Sequence, residues 1–154
     1  MKTVFVFITC ATALFSCRST VLDIEKRAVQ DTIERHLDAV ANRDINHLKG
    51  TIPEKGQLLL ILPGQEILNT TEAFLDYHLE WFEDNSWTFE SKIIHVQAGA
   101  FFGMAVVEVL YKEPDRDGKP YFNRMIVSYD FEKQNGKWVV IKDHASSIEQ
   151  SSNL

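Results

Sequence analysis

From residue 87 to residue 144 the sequence reads as four stretches of strand, 87–97, 101–112, 121–133 and 137–144, separated by compact turn sequences. Asn135-Gly136 is a strong two-residue hairpin signal, because the tight turns that suit twisted strands need positive φ at their central positions. Asp115-Arg116-Asp117-Gly118-Lys119-Pro120 is a turn by composition. Three long strands joined by hairpins form an antiparallel sheet, and such a sheet must bury at least one face. The cover has to come from upstream.

Upstream the periodicity changes. Val29, Ile33, Leu37, Val40 and Ala41 recur at three- and four-residue steps, so 23–42 reads as a helix with one apolar stripe. Asn42-Arg43-Asp44 breaks it, and Asp44 can cap a short second helix carrying Ile45 and Leu48. Pro53 and Gly56 mark a turn. The apolar run 57–62, ended by Pro63-Gly64, is short enough to be a strand. Thr70 or Thr71 caps a third helix, whose Glu72 and Asp76 suit its positive end. Phe74, Tyr77, His78 and Trp81 occupy neighbouring faces of that helix. Helices first and hairpin strands afterwards mean an α+β fold, with the helices on one face of the sheet.

Two segments carry a family resemblance. They are Ile33-Glu34-Arg35-His36-Leu37-Asp38-Ala39-Val40-Ala41-Asn42-Arg43-Asp44 and Asn135-Gly136-Lys137-Trp138-Val139-Val140-Ile141-Lys142-Asp143-His144-Ala145-Ser146. In this order they resemble the nuclear transport factor 2-like (NTF2-like) superfamily, in its SnoaL-like and ketosteroid-isomerase-like branch. The resemblance implies a cone: a curved antiparallel sheet wrapped around N-terminal helices, with a pocket at the open end. It also implies a homodimer through the outer face of the sheet. The fold hosts enzymes, binding proteins and assembly domains, so it does not by itself give a function.

Turn positions suggest which side chains face the pocket. With Asn135 and Gly136 as the loop, Phe131 lies opposite Val140, Tyr129 opposite Lys142 and Val127 opposite His144. Pairing Glu108 with Arg124 across the preceding hairpin puts Ala105, Val107, Val109, Asn123, Met125, Val127 and Tyr129 on one face. That face is the more apolar and is assigned to the helices and the pocket. Glu108, Arg124 and Asp143 then fall on the outer face, and a bulge in either long strand would reverse the assignment beyond it. The expected pocket residues are His36, Trp81, Asn123, Tyr129 and His144. By the resemblance, His36 stands where ketosteroid isomerases carry the tyrosine that holds the substrate oxyanion. The plainer alternative is a histidine at the core boundary, and Trp81 is equally explicable as wall.

The first residues belong to a different logic. Met1-Lys2-Thr3 is a short positive start, and 4–15 is an uncharged, mostly apolar run too short to span a bilayer, which takes about 20 residues. Leu14-Phe15-Ser16-Cys17 resembles a bacterial lipobox, which implies cleavage before Cys17 and lipidation of its sulfur. The expected organisation is a signal peptide at 1–16, a tether at 17–22, the domain at 23–150 and a tail at 151–154. The protein would then be lipid-anchored in the cell envelope outside the cytoplasm, with soluble secreted or periplasmic protein as the alternative. Both cysteines, Cys10 and Cys17, lie in this region, so no disulfide is expected within the mature domain. Lys2 is the leader's only charge; the 15 remaining Lys and Arg against 22 Asp and Glu leave the mature domain at −7. An acidic surface without a basic cluster argues against a nucleic-acid partner.

Motifs for chemistry are sparse. The isomerase base position falls at about Leu62, and 58–62 contains no acid. His36, His47, His78, His95 and His144 show no metal-ligand spacing, and no nucleotide-binding or serine-nucleophile motif is present, so no metal or cofactor is implied. The expected function is therefore binding of a small hydrophobic molecule in the cone. The alternative is a SnoaL-like enzyme (isomerase, cyclase or hydrolase type) using pocket histidines for acid–base work. A cone filled by its own side chains, with a cavity below about 300 Å³, would favour a purely structural domain.

Overall fold

The computed structural model describes residues 9–64 and 66–151, with side chains for 21–64 and 66–151. The leader and Cys17 therefore fall outside the side chains described. Helix α1 (Thr9–Ala41) covers the expected helix up to its last residue and continues upstream of it. It ends where Arg43 adopts a positive φ of 57°, and Asp44 caps α2 (Ile45–Lys49) by accepting from Asn46 N and His47 N. Thr70 caps α3 (Thr71–Glu83) by accepting from Ala73 N. Both caps satisfy amides that a helix start leaves without partners.

Six strands form one sheet: β1 (Leu59–Ile61), β2 (Ile67–Leu68), β3 (Thr88–Ala98), β4 (Phe102–Arg116), β5 (Lys119–Gln134) and β6 (Lys137–Gln150). Their order is β2-β1-β6-β5-β4-β3. All pairings are antiparallel except β1 with β6, which is parallel. That exception extends the sheet beyond the hairpins read from sequence. The parallel pairing is possible because β1 precedes β6 by a long stretch of chain, as a crossover requires. The concave side holds α1. Val29, Ile33, Leu37 and Val40 are buried against Ala105, Val107, Val109, Val127, Phe131 and Val140. Burying apolar area here stabilises the fold by about 25 cal/mol per Å². The result is the α+β cone that the sequence implied.

The strand registers depart from expectation in two ways. Arg124 lies opposite Leu110 and Glu108 opposite Ile126, a slip of two residues. Its cause is the turn. Asp117 and Gly118 both take positive φ and close a two-residue hairpin between Arg116 and Lys119, so both strands extend further than the composition suggested. A slip of two keeps every side chain on its face. Glu108 and Arg124 thus still share the outer face as diagonal neighbours, 3.7 Å apart at Oε1 and Nη1.

The second departure matters more. Phe131 faces Val140 as expected, but Asp130 pairs with Lys142, leaving Ile141 as an extra residue in β6. This bulge moves everything after it by one position. Tyr129 then faces Asp143, Val127 faces Ala145, and Ser128 faces His144. The expected faces of Asp143 and His144 are exchanged: Asp143 is buried on the concave side and His144 is exposed on the convex side.

Close packing between sheet and helix leaves no room at Gly103, where an added Cβ would lie 2.9 Å from Val29 Cγ2 and 3.2 Å from the Gln97 carbonyl oxygen. Gly103→Ala is expected to cost about 1–3 kcal/mol, the usual cost of overpacking. Chemical denaturation should show a smaller cost in a Val29→Ala background. An undiminished cost there would place the strain in the backbone rather than against Val29.

Candidate functional site

A cavity of about 340 Å³ opens between α3, the end of α1 and the concave sheet. Its volume is above the range expected of a cone filled by its own side chains. Leu60, Leu62, Met125 and Val127 supply apolar wall, and Tyr77, Trp81, Phe89 and Tyr111 supply aromatic wall. Trp81 stacks on buried Trp87, with ring centroids 4.4 Å apart, and Trp87 Nε1 donates to the Trp81 carbonyl at 3.2 Å. The Arg43 guanidinium covers the Trp87 ring at 3.8 Å. The aromatic wall is therefore braced from behind.

The mouth is polar because β4 carries an irregularity between Glu113 and Arg116, just before the Asp117-Gly118 turn. Arg116 Nε donates to Glu113 Oε2 at 2.7 Å, and its guanidinium lies 3.4 Å from the Tyr121 ring centroid. Tyr111 donates its hydroxyl to Glu113 Oε1 at 2.6 Å. That hydrogen bond to Arg116 lowers the Glu113 pKa, and the same carboxylate raises that of Arg116. Burial, then the bond to Glu113, raises that of the Tyr111 phenol. Four side chains thus form one locked cluster at the entrance.

Deeper in, the polar groups are less well served. Asp143, Tyr129 and Asn123 all line the cavity from β5 and β6. Burial pushes the Asp143 carboxyl up to about 7, and no cation or hydrogen bond among the described residues offsets it. Burial and then the Asp143 charge raise the Tyr129 phenol, and the same two causes push Tyr77 to about 12. Asn123 Oδ1 is buried without a hydrogen-bond partner among the described residues. On α3, His78 is buried within the cavity wall, and burial lowers its pKa to about 4.

The five residues expected from sequence separate. Trp81, Asn123 and Tyr129 line the cavity. His36 is fully buried, and its ring meets Tyr129 edge to face at 5.5 Å; Tyr129, not His36, reaches the cavity surface. The Thr51 hydroxyl donates to the Leu48 carbonyl at 2.7 Å, so it accepts from His36 Nδ1 at 2.8 Å. His36 is then the Nδ1–H tautomer, and its Nε2 is a buried acceptor without a partner among the described residues. Burial, then the nearby His78, brings its pKa to about 3. His144 does not enter the site, because the Ile141 bulge turns it outward.

Asp143 and His78 are the residues that the sequence reading missed. A signal for Asp143 was available. The unbulged register places Lys142 opposite Tyr129 on the buried face, an unpaired charge in the core. The bulge brings Lys142 out to Asp130, 2.5 Å away. His78 follows Phe74 by four residues and precedes Trp81 by three, so it shares their face of α3.

These ionisations make stability depend on pH in opposing directions. Asp143 binds its proton more tightly when folded, so its burial penalty is absent below about pH 4. The penalty grows as pH rises and is complete above about pH 7, with a ceiling of about 4 kcal/mol. His36 and His78 hold protons less tightly when folded, so their contribution is lost as pH falls below about 6.5. Asp143→Asn is expected to raise the melting temperature at pH 8 and to leave it nearly unchanged at pH 4. Calorimetry showing the same gain at both pH values would mean that buried charge is not the cause.

Comparison with known proteins agrees with this architecture. A family model described as a SnoaL-like domain matches residues 29–149. No curated protein matches the chain. Among solved structures, a proposed dehydratase of the NTF2-like family from Streptomyces avermitilis is 14% identical, covering 82% of this chain and 98% of that one, at a TM-score of 0.69. A proposed ketosteroid isomerase from Shewanella frigidimarina is 11% identical, covering 77% and 94%, at 0.65. The association domain of CaMKII from C. elegans is 16% identical, covering 82% and 98%, at 0.62. At these identities the solved structures share the fold alone. The family model spans most of the chain, from the middle of α1 to the end of β6, and the chain belongs to the SnoaL-like domain family.

Proposed function

We propose that this domain binds one small, largely apolar molecule in its cone, with the polar end of the molecule meeting Asp143, Tyr129 and Asn123. The observation that carries this reading is a cavity of about 340 Å³ with mostly apolar and aromatic walls and a buried carboxyl without a compensating partner among the described residues. Concave, mostly apolar cavities with a few convergent polar groups are the usual form of small-molecule sites. An unpaired buried carboxyl is a cost to folding that a ligand could offset. A second reading, acid–base catalysis, draws support from the same residue, because a carboxyl titrating near neutrality can both give and take a proton. It would rest on Asp143, since His144 faces outward and Leu62, at the isomerase base position, is apolar wall.

The domain is further proposed to act outside the cytoplasm, anchored through lipid on Cys17, and to pair with a second copy through the convex face. The Leu14 to Cys17 motif supports the first. For the second, Phe102 and Met104 leave apolar surface exposed on that face, beside partly buried Val106 and Ile126.

Native mass spectrometry of the purified domain tests the binding reading directly. A dimer mass carrying a co-purified small molecule is expected, and Ala145→Trp, which fills the cavity, should lose the added mass. Retention of that mass in Ala145→Trp would place the molecule elsewhere. For the anchor, Cys17→Ser is expected to move the protein from the membrane fraction to the soluble one, or to leave an uncleaved precursor. An unchanged distribution would remove the lipid anchor.

A further inference from the structure

Helix α3 presents a fixed hydrogen-bond acceptor to the cavity. His78 Nδ1 lies 2.8 Å from the Phe74 carbonyl oxygen, which can only accept, so the ring hydrogen sits on Nδ1. Nε2 then carries a bare lone pair. It bonds to no described residue, and His78 belongs to the cavity wall. Turning the ring over would lose the Phe74 bond, and Phe74 holds the ring in place at a centroid distance of 4.0 Å. Across the cavity, Asn123 Oδ1 is a second acceptor without a partner. Two acceptors of the cavity wall, one of them buried, have no partner among the described residues, and a donor on a ligand would complete either. The geometry points to an uncharged, mainly aromatic or alicyclic ligand bearing a hydroxyl or ring N–H that donates to His78 Nε2.

Three features of the site narrow the class. The walls are aromatic, which suits a flat hydrocarbon skeleton. Asp143 sits in the same cavity and repels anionic ligands once ionised. Arg116, the cation at the mouth, is already held by Glu113 and is not free to balance a ligand carboxylate.

This inference rests on the proposed pocket, and the experiment separates the two. Titration calorimetry on the full chain at pH 6 compares 2-naphthol with 2-methoxynaphthalene, which keeps the skeleton and removes the donor. Naphthol is expected to bind at least about tenfold more tightly, as befits a hydrogen bond to a group otherwise left stranded. His78→Phe should still bind 2-methoxynaphthalene while the preference falls to within about twofold. A second pair, indole against 1-methylindole, needs no variant and should show the same preference. Equal affinities within both pairs overturn the inference but leave the pocket. A preference that survives His78→Phe overturns the role of His78, and no binding of any probe removes the pocket reading itself.

Discussion

The burial of the α1 stripe against the concave sheet is the contact on which the rest of the molecule depends. Val29 and Ile33 are completely buried, and Gly103 of β4 exists as glycine because Val29 comes so close. The contact fixes the curvature of the sheet and so the size of the space left beneath α3. Thr51 ties these parts together. Its hydroxyl accepts from His36 on α1, and its carbonyl accepts from Val140 N at 2.8 Å, beside the β6 bulge. The helix that forms the core and the strand that places Asp143 are thereby held by one residue.

Most of the fold was legible in the sequence because the signals for it are local. The Asp44 and Thr70 caps, the Asn135-Gly136 turn and the 3.6-residue stripe of α1 depend on residues within a few positions of one another. The parallel pairing of β1 with β6 was not legible, since a three-residue strand carries no periodicity and its partner lies some eighty residues away. The site was legible up to the bulge at Ile141. Asn123 and Tyr129 lie on β5, the unbulged strand, and keep their expected face on the cavity wall. Asp143 and His144 come after it and trade places. One inserted residue exchanges an acid for a histidine in the site while leaving the hydrophobic core between Phe131 and Val140 intact. The clue was not a motif but a contradiction, a lysine assigned to the core.

Buried polar groups in this domain divide into two populations. At the mouth and at the end near the start of β6, charges are paired. Glu113 holds Arg116, and Glu25 accepts from Lys133 at 2.6 Å and from Trp138 Nε1 at 2.9 Å. In the interior, among the described residues, His36 Nε2, Asn123 Oδ1, Thr71 Oγ1 and Ser147 Oγ are buried without a hydrogen-bond partner. Stability alone would select apolar residues at those positions, since each stranded group costs about 1–3 kcal/mol. Of these, Asn123 lines the cavity, and His36 lies behind its wall against Tyr129.

The stacked pair of Trp81 and Trp87 has an optical consequence. Two indoles 4.4 Å apart and inclined by only 16° are close enough for their electronic transitions to mix. Such coupling gives paired bands of opposite sign in circular dichroism, whose amplitude depends on the angle and spacing of the two rings. Trp87 is locked by Arg43 and by its own bond to the Trp81 carbonyl, whereas Trp81 presents its other side to the cavity. Whatever enters the cone presses on one member of the pair and not on the other. Binding in the cone, as proposed above, would therefore change the coupled bands of this pair and be readable without any label.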